Sequence, residues 1–277
     1  MNLQELQEEF ISAISAVYET TEAWNIWNLI VHHIHDNEKK GITIAGGSPQ
    51  KYLEAIKRRL LQQEPVQYIL QEAWFYDCPF YVDKNVLIPR PETEELVHWV
   101  IKEHQHRKEL KILDIGTGSG CIPCILKRKL PQAAVFSCDI SKAAIEVARR
   151  NAAACQLAIA FFELDFLNPE NWKLLPKVDV IVSNPPYIPG KDRGFMHPNV
   201  LDYEPSLALF VPDNDPLLFY KKIAEASGSL LQPNGAVYVE THEELAVASA
   251  EVFEQGAFTT VIRQDLQGKN RFVKASN

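Results

Sequence analysis

The decapeptide Lys111-Ile112-Leu113-Asp114-Ile115-Gly116-Thr117-Gly118-Ser119-Gly120 decides the fold. Its first half is a short apolar run of strand length, and its second half sets glycine at every other position. The pattern predicts a buried strand, a tight glycine turn, and a helix over residues 121–129. Glycine lets the chain turn sharply and lets a ligand approach the backbone with no Cβ in the way. Cys121 stands where a third glycine would complete the dinucleotide fingerprint GxGxxG, and no GxxxxGK[ST] phosphate loop is present.

Outward from this loop, strands and helices alternate. Residues 134–139 read as a second strand, 143–153 as a helix, 159–162 as a third strand and 178–182 as a fourth. Residues 236–239 form a later strand, 243–253 a helix, and further strands surround 259–262 and 271–273. A helix opens near Glu92-Thr93 and carries Leu96, Val97, Val100 and Ile101, and a proline-bearing insertion follows Tyr187. Such alternation predicts an α/β, Rossmann-like fold, with a mixed, mainly parallel sheet and helices on both faces.

The N-terminal quarter reads differently. Leu3, Leu6, Phe10, Ile14 and Val17 recur at helical spacing, as do Trp24, Trp27, Val31 and Ile34, with both tryptophans expected in a core. Ser48-Pro49 reads as N-cap and first-turn proline of a third helix carrying Tyr52, Ile56 and Leu60, which ends at Gln62-Gln63-Glu64-Pro65. Residues 1–72 are thus expected to form a small helical domain. Residues 73–87, with Phe75, Phe80, Tyr81 and Val82, are expected to form a hairpin linker turning at Asp83-Lys84-Asn85, leaving 88–277 as the α/β domain.

Charge and cysteine content narrow the function classes. The net charge of −8 argues against tight nonspecific binding to nucleic acid, which draws on lysine and arginine meeting phosphates. Lys57-Arg58-Arg59 reads as a solvated helix face. Five cysteines, an odd number at low density, with neither a secretory signal nor an apolar run long enough to span a bilayer, predict a reducing, cytoplasmic setting away from membranes. Cys121-Ile122-Pro123-Cys124 reads as helix packing rather than redox or metal chemistry, and His32-His33-Ile34-His35 and His104-Gln105-His106 as solvated helix ends, so no metal site is expected. Glu204-Pro205 reads equally as a turn or as a substrate contact.

Ligands of open α/β sheets bind at the carboxyl ends of the strands, near the topological switch point. Gly116-Thr117-Gly118-Ser119-Gly120 sits at such an end. Asp139 closes the next strand, where a carboxylate can accept hydrogen bonds from both hydroxyls of a ribose. Asp165-Phe166 follows the third strand and offers an acceptor and a ring for a purine. Together these describe a nucleoside-shaped pocket.

Asn184-Pro185-Pro186-Tyr187 closes the fourth strand beside it. Two prolines cannot donate to a sheet, so the chain must leave it here in a rigid extended form. An amide or exocyclic amine nitrogen is a poor nucleophile because its lone pair is delocalised. The Asn184 side-chain oxygen and the Pro185 carbonyl can accept its two N–H groups and stabilise positive charge as it develops, with the lone pair facing a sulfonium methyl. Tyr187 can stack on the planar group.

At these residues the sequence resembles the N5-glutamine methyltransferases of bacterial-type peptide chain release factors. The resemblance runs over nearly the whole chain, through Glu64-Pro65-Val66-Gln67-Tyr68-Ile69, Leu87-Ile88-Pro89-Arg90-Pro91-Glu92-Thr93-Glu94, the glycine loop, Asn184 to Tyr187, and Asp265 to Arg271. It implies a class I methyltransferase domain and a helical N-terminal domain that helps recognise the release factor. It also implies transfer from S-adenosylmethionine to the glutamine of that factor's Gly-Gly-Gln loop, with S-adenosylhomocysteine as product; a monomer is expected. By position, Gly116, Thr117, Gly118, Ser119, Gly120, Asp139, Asp165, Phe166 and Asn184 would bind the cofactor. Asn184, Pro185, Pro186 and Tyr187 would hold the glutamine, the catalytic part falling to Asn184, Pro185 and Tyr187, with Arg90 and Glu92 shaping the entrance.

Four places depart from the family pattern. Phe166 stands where tryptophan is common, Gln71 where glycine is, Val239-Glu240-Thr241-His242 where Glu-Ile-Gly is usual, and Val211 to Asp215 lacks expected glycines. Two other readings stay open here. Asn-Pro-Pro-Tyr also occurs in adenine-N6 nucleic-acid methyltransferases, which need a flipped base and a basic track. A cofactor-binding adaptor without catalysis would have no use for the acceptor pair.

Overall fold

A computed structural model describes residues 3–39 and 49–276. These residues fall into two compact units. The first holds Leu3 to Glu72 together with His197–Tyr203. Helices α1 (Leu3–Ile14), α2 (Thr20–Lys39), α3 (Pro49–Leu60) and the short α4 (Val66–Leu70) form it. Phe10, Ile14, Trp27, Ile30, Ile56 and Leu60 are its core, and the Tyr18 hydroxyl donates to Leu60 O across it at 3.1 Å. Ser48, the expected cap of α3, lies outside the described residues. Trp24 and Val31 do not join this core. They lie 44% and 37% exposed, because the buried stripe of α2 runs through Ala23, Ile26, Trp27 and Ile30 instead. Helix α4, unread in the sequence, ends on Gln71 in the left-handed region at φ 55°, the backbone that favours glycine at that position.

The second unit holds Ala73–Met196 and Glu204 to Ser276. It opens with a two-stranded hairpin, β1 (Ala73–Phe75) and β2 (Cys78–Phe80). The hairpin turns at Tyr76-Asp77, not at Asp83-Lys84-Asn85. Tyr76 and Asp77 both have positive φ, 53° and 58°, the mirror-image geometry that matches strand twist, although neither residue is glycine or asparagine. Asp83 still makes a turn, accepting from the Asn85 and Val86 backbone, but no strand pair flanks it.

Helix α5 (Pro91–His104) follows, then β3 (Lys111–Ile115), α6 (Cys121–Lys129), β4 (Ala134–Asp139), α7 (Lys142–Ala154), β5 (Ala160–Glu163) and β6 (Val178–Ser183). A two-strand element, β7 (Ile188–Pro189) with β8 (Phe210–Val211), brackets the insertion. The chain ends with α8 (Leu218–Leu230), β9 (Leu231–Glu240), α9 (Ala246–Gln255), β10 (Thr259–Gln264) and β11 (Asn270–Ser276). The seven-stranded sheet has the order β10-β11-β9-β6-β3-β4-β5, with β11 antiparallel to both neighbours. This is the expected mixed, mainly parallel α/β sheet.

Period-two alternation sorts the strand residues between two cores. Ile112, Val180, Val182 and Tyr238 pack on one face with Leu96, Val100 and Ile125. Leu113, Ile115, Ile181, Val237 and Val239 pack on the other with Tyr220, Ile223 and Phe253. Strand β3 pairs with β4 on one side and β6 on the other, so the chain reverses its direction of travel across the sheet here. Their carboxyl ends form the switch point at which such sheets bind ligands. No helix of the described residues is long and apolar enough to cross a membrane.

Candidate active site

The carboxyl ends of β3, β4 and β6 open into one cleft, whose walls include Gly116, Gly118, Asp139, Asp165, Phe166, Asn184, Pro185 and Pro186. Residues read from separate motifs therefore share one surface. Thr117, Ser119, Gly120, Tyr187, Arg90 and Glu92 are not among its walls. Thr117 and Ser119 are buried beneath the loop.

The glycine loop is held from three sides. Gly116 N and Thr117 N both donate to Cys138 O, at 2.9 and 3.1 Å, and Gly120 N donates to Thr117 O at 2.8 Å. Asn151, buried on α7, donates to Ser119 O at 2.8 Å and to Tyr81 O at 2.9 Å while accepting from Tyr81 N. Gly116 and Gly118 have φ of +78° and +51°, and a Cβ at either would enter open space on the cleft side. Gly120 differs: at φ +80° a Cβ there would meet Ala148 Cβ at 3.0 Å, so it is set by loop–helix packing.

Asp139 Oδ2 accepts from Gly118 N at 3.0 Å and Oδ1 from Ser141 N at 2.9 Å. Burial pushes its carboxyl up, and these backbone N–H groups pull it part of the way back. Asp165 Oδ1 accepts from Leu167 N at 2.9 Å, and the Phe166 ring lies 5.8 Å from Trp172, whose indole N–H donates to Phe166 O at 2.8 Å. Ile140, Ala144, Leu164 and Phe166 make the adjoining walls apolar. An apolar slot with two anchored carboxylates at its edge, beside two glycines that leave room for a ligand, fits a nucleoside.

Asn184 reaches the cleft at the end of β6. Its Nδ2 donates to Thr93 Oγ1 at 3.0 Å, and Thr93 Oγ1 donates to Glu240 Oε2 at 2.6 Å. Thr93 and Glu240 are both buried, and desolvation raises the Glu240 carboxyl to about 7. Neither is among the site residues expected from the sequence, although Thr93 lies in the Ile-Pro-Arg-Pro-Glu-Thr string.

Arg90 Nη2 donates to Glu204 Oε1 at 2.6 Å, and Ile88 N donates to Glu204 Oε2 at 3.2 Å. Of the two readings of Glu204-Pro205, the glutamate is thus a buried tie to the segment that leads into α5, and Pro205 lines the cleft. Tyr187 packs 6.2 Å from the His242 ring. Burial pushes its phenol up, with the charges of Glu240, Arg271, Arg90 and Glu92 acting on it.

Cys121 and Cys124 are buried free thiols on α6, and burial pushes Cys121 up to about 12, as helix packing requires. Among the described residues no group of three metal-ligating side chains occurs. His104 is not solvated: it is buried at the end of α5 with Nε2 3.0 Å from the Tyr238 hydroxyl.

The family described as Methyltransferase small domain matches residues 94–199. A protein of Flavobacterium psychrophilum named Release factor glutamine methyltransferase is 40% identical over 288 residues, covering 100% of this chain and 99% of its own. The chain belongs to the release factor glutamine methyltransferase family. A Bacteroides thetaiotaomicron member with the same name is 42% identical over 84% of this chain and 83% of its own. A solved methyltransferase from Pyrococcus furiosus shares the fold, with a TM-score of 0.54 at 16% identity over 80% of this chain and 98% of that one. As a member of the family, the chain is a methyltransferase, and its sheet is that of the class I fold.

Proposed function

We propose that this methyltransferase moves the methyl group of S-adenosylmethionine to the side-chain N5 of the glutamine in the Gly-Gly-Gln motif of a peptide chain release factor, leaving S-adenosylhomocysteine. One observation carries the reading: the Asn184-Pro185 acceptor pair, the open glycines Gly116 and Gly118, and Asp139 line the same cleft at the ends of three adjacent strands. The family membership supplies the substrate class.

When bound, the cofactor supplies an electrophilic sulfonium methyl. The protein's part is positioning and charge stabilisation. Asp139 would accept from the ribose hydroxyls, Asp165 and Phe166 would hold the adenine, and the loop from Gly116 to Gly120, with its Thr117 and Ser119 backbone, would hold the rest. Asn184 Oδ1 and the Pro185 carbonyl accept the two N–H bonds of the glutamine amide. That arrangement turns the nitrogen lone pair toward the donor and stabilises the charge that grows on nitrogen, so no strong base is needed before transfer. The N–C bond would form as the S–C bond breaks, and the surplus N–H proton would pass to solvent water. Pro186 holds the extended backbone, Tyr187 holds the planar amide, and Arg90 and Glu92 shape the approach.

The helical domain, residues 1–72, is assigned to recognition of the factor, residues 73–87 to the link, and 88–277 to catalysis. A monomer is part of the proposal. Five free cysteines, four of them buried, suit a reducing cytoplasm.

The test is incubation with labelled S-adenosylmethionine and, separately, a release factor, the same factor with its Gly-Gly-Gln glutamine changed to alanine, and an adenine-containing oligonucleotide. Label in the intact factor alone is expected. Label in the oligonucleotide would replace the reading with adenine methylation, and cofactor binding with no label anywhere would replace it with an adaptor.

A further inference from the structure

An asparagine amide can present either end to a cleft, since its oxygen and nitrogen are nearly equal in size. Only the oxygen can accept the N–H of a substrate amide. Something must choose the end.

Thr93 Oγ1 lies between Glu240 Oε2, at 2.6 Å, and Asn184 Nδ2, at 3.0 Å. An ionised carboxylate only accepts, and a hydroxyl has one proton to give. That proton goes to Glu240, so Thr93 can offer Asn184 only a lone pair, which only the amide N–H can meet. Asn184 Oδ1 is thereby turned away from Thr93, and it accepts from no described residue. We propose that Thr93 and Glu240 are positioning residues, a directional hydrogen-bond chain that fixes which end of Asn184 meets the substrate amide. The proposal rests on the reading of Asn184 as acceptor for that amide.

The placement supports it. Thr93 stands in the first turn of α5, Glu240 at the end of β9, and Asn184 at the end of β6, so three separate elements meet at one hydroxyl. Glu240 is 2% exposed, and among the described residues the only hydrogen bond its carboxyl accepts comes from a neutral hydroxyl. A buried carboxylate so placed is costly, and an apolar pair of similar volume would stabilise the fold at least as well. Holding an acid there makes sense if its direction of hydrogen bonding is what matters.

The chain also has a reversed state. If Glu240 takes up a proton, it donates to Thr93, Thr93 donates onward, and Asn184 must swing its oxygen inward and present N–H to a substrate that needs an acceptor. The groups facing Glu240 are Arg271 on β11, Arg90 and Glu92 at the start of α5, Tyr187 after β6, and Tyr220 on α8, whose hydroxyl donates to Glu240 O at 3.1 Å. Desolvation outweighs the two arginines and raises the carboxyl to about 7, close enough to neutrality for the reversal to be reached.

Three variants of the full chain test this: Thr93→Val, which keeps shape and removes the hydroxyl, Glu240→Gln, and Thr93→Ser. Turnover on a release factor is measured beside S-adenosylmethionine affinity by calorimetry. Thr93→Val and Glu240→Gln are expected to lower kcat about 100-fold, the size of losing an oriented polar contact to the reacting group, with cofactor Kd nearly unchanged. Thr93→Ser is expected to restore kcat. Wild-type kcat should fall as pH drops below about 7, and Glu240→Gln should lose that limb. A Thr93→Val variant with wild-type kcat, or a Thr93→Ser variant as poor as Thr93→Val, overturns the relay alone. A wild-type chain that labels no glutamine overturns the substrate reading, and the role given to the relay goes with it.

Discussion

Glu204, with 2% of its side-chain surface exposed, is clamped by Arg90 at 2.6 Å and so fastens the start of the cleft wall at Pro205 to the segment that leads into α5. Arg90→Ala would leave a buried carboxylate with only the Ile88 N–H. Removing one partner of a buried pair strands the other charge; with Arg90 itself partly exposed, a loss of about 2 kcal/mol is expected. For a chain of this size that is a fall in Tm of roughly 4–8 °C by calorimetry. Adding Glu204→Gln should recover part of it. A double variant no better than Arg90→Ala would show that the clamp holds by packing rather than charge.

Asp139 carries the second prediction. It is tied to the Gly118 and Ser141 backbone, so the loop and the acceptor share one carboxylate. Asp139→Ala is expected to weaken S-adenosylhomocysteine binding by roughly 10- to 100-fold, the worth of one or two hydrogen bonds to a charged group. Calorimetric titration reads it; unchanged affinity would remove Asp139 from the cofactor site.

The glycines of the loop separate packing from binding. Gly120→Ala must meet Ala148 at 3.0 Å from a left-handed backbone, so it should cost stability, by about 1–3 kcal/mol in urea unfolding. Gly118→Ala, whose Cβ enters open space, should cost about 1 kcal/mol of backbone strain and lose cofactor affinity instead. The reverse ranking would contradict the assignment of Gly120 to helix packing.

His104 gives a pH dependence with a definite sign. The Tyr238 hydroxyl donates to Glu103 at 2.6 Å, so toward His104 it can only accept, and His104 must carry its proton on Nε2. Burial lowers the imidazole from 6.5 to about 4, so the folded protein resists the second proton while the unfolded chain takes it. The stability tied to neutral His104 is present above pH 6.5 and is lost as pH falls from 6.5 through about 4. Urea midpoints across that window should fall more steeply for the wild type than for His104→Leu; parallel curves would exclude the effect.

Much of the α/β unit was legible because its signals are local. Lys111 to Gly120 states strand, turn and helix start within ten residues, and Val180 to Val182 is apolar on both faces, as a central parallel strand must be. The cleft's walls followed, since each motif ends a strand and parallel strands bring those ends together. What escaped depends on distant partners. Thr93 and Glu240 are 147 positions apart, and Ile88 and Glu204 are 116 apart, so neither contact leaves a pattern in the chain. The Tyr76-Asp77 turn lacks the glycine or asparagine that announces its geometry, so the reading fell on the more polar Asp83-Lys84-Asn85. Trp24 and Trp27 share a helix, yet only Trp27 faces the core, because three residues turn a helix by less than a full circle and a wide stripe leaves its margin outside.

The central claim is that Asn184 directs methyl transfer to a glutamine amide nitrogen. Its most direct test is tandem mass spectrometry of a release factor incubated with S-adenosylmethionine and either wild-type protein or Asn184→Ala, with cofactor affinity measured alongside. One added methyl group on the side chain of the Gly-Gly-Gln glutamine is predicted for the wild type, together with its near-complete loss in the variant while the cofactor still binds. Methylation at any other residue, or near-normal turnover by Asn184→Ala, would contradict the account.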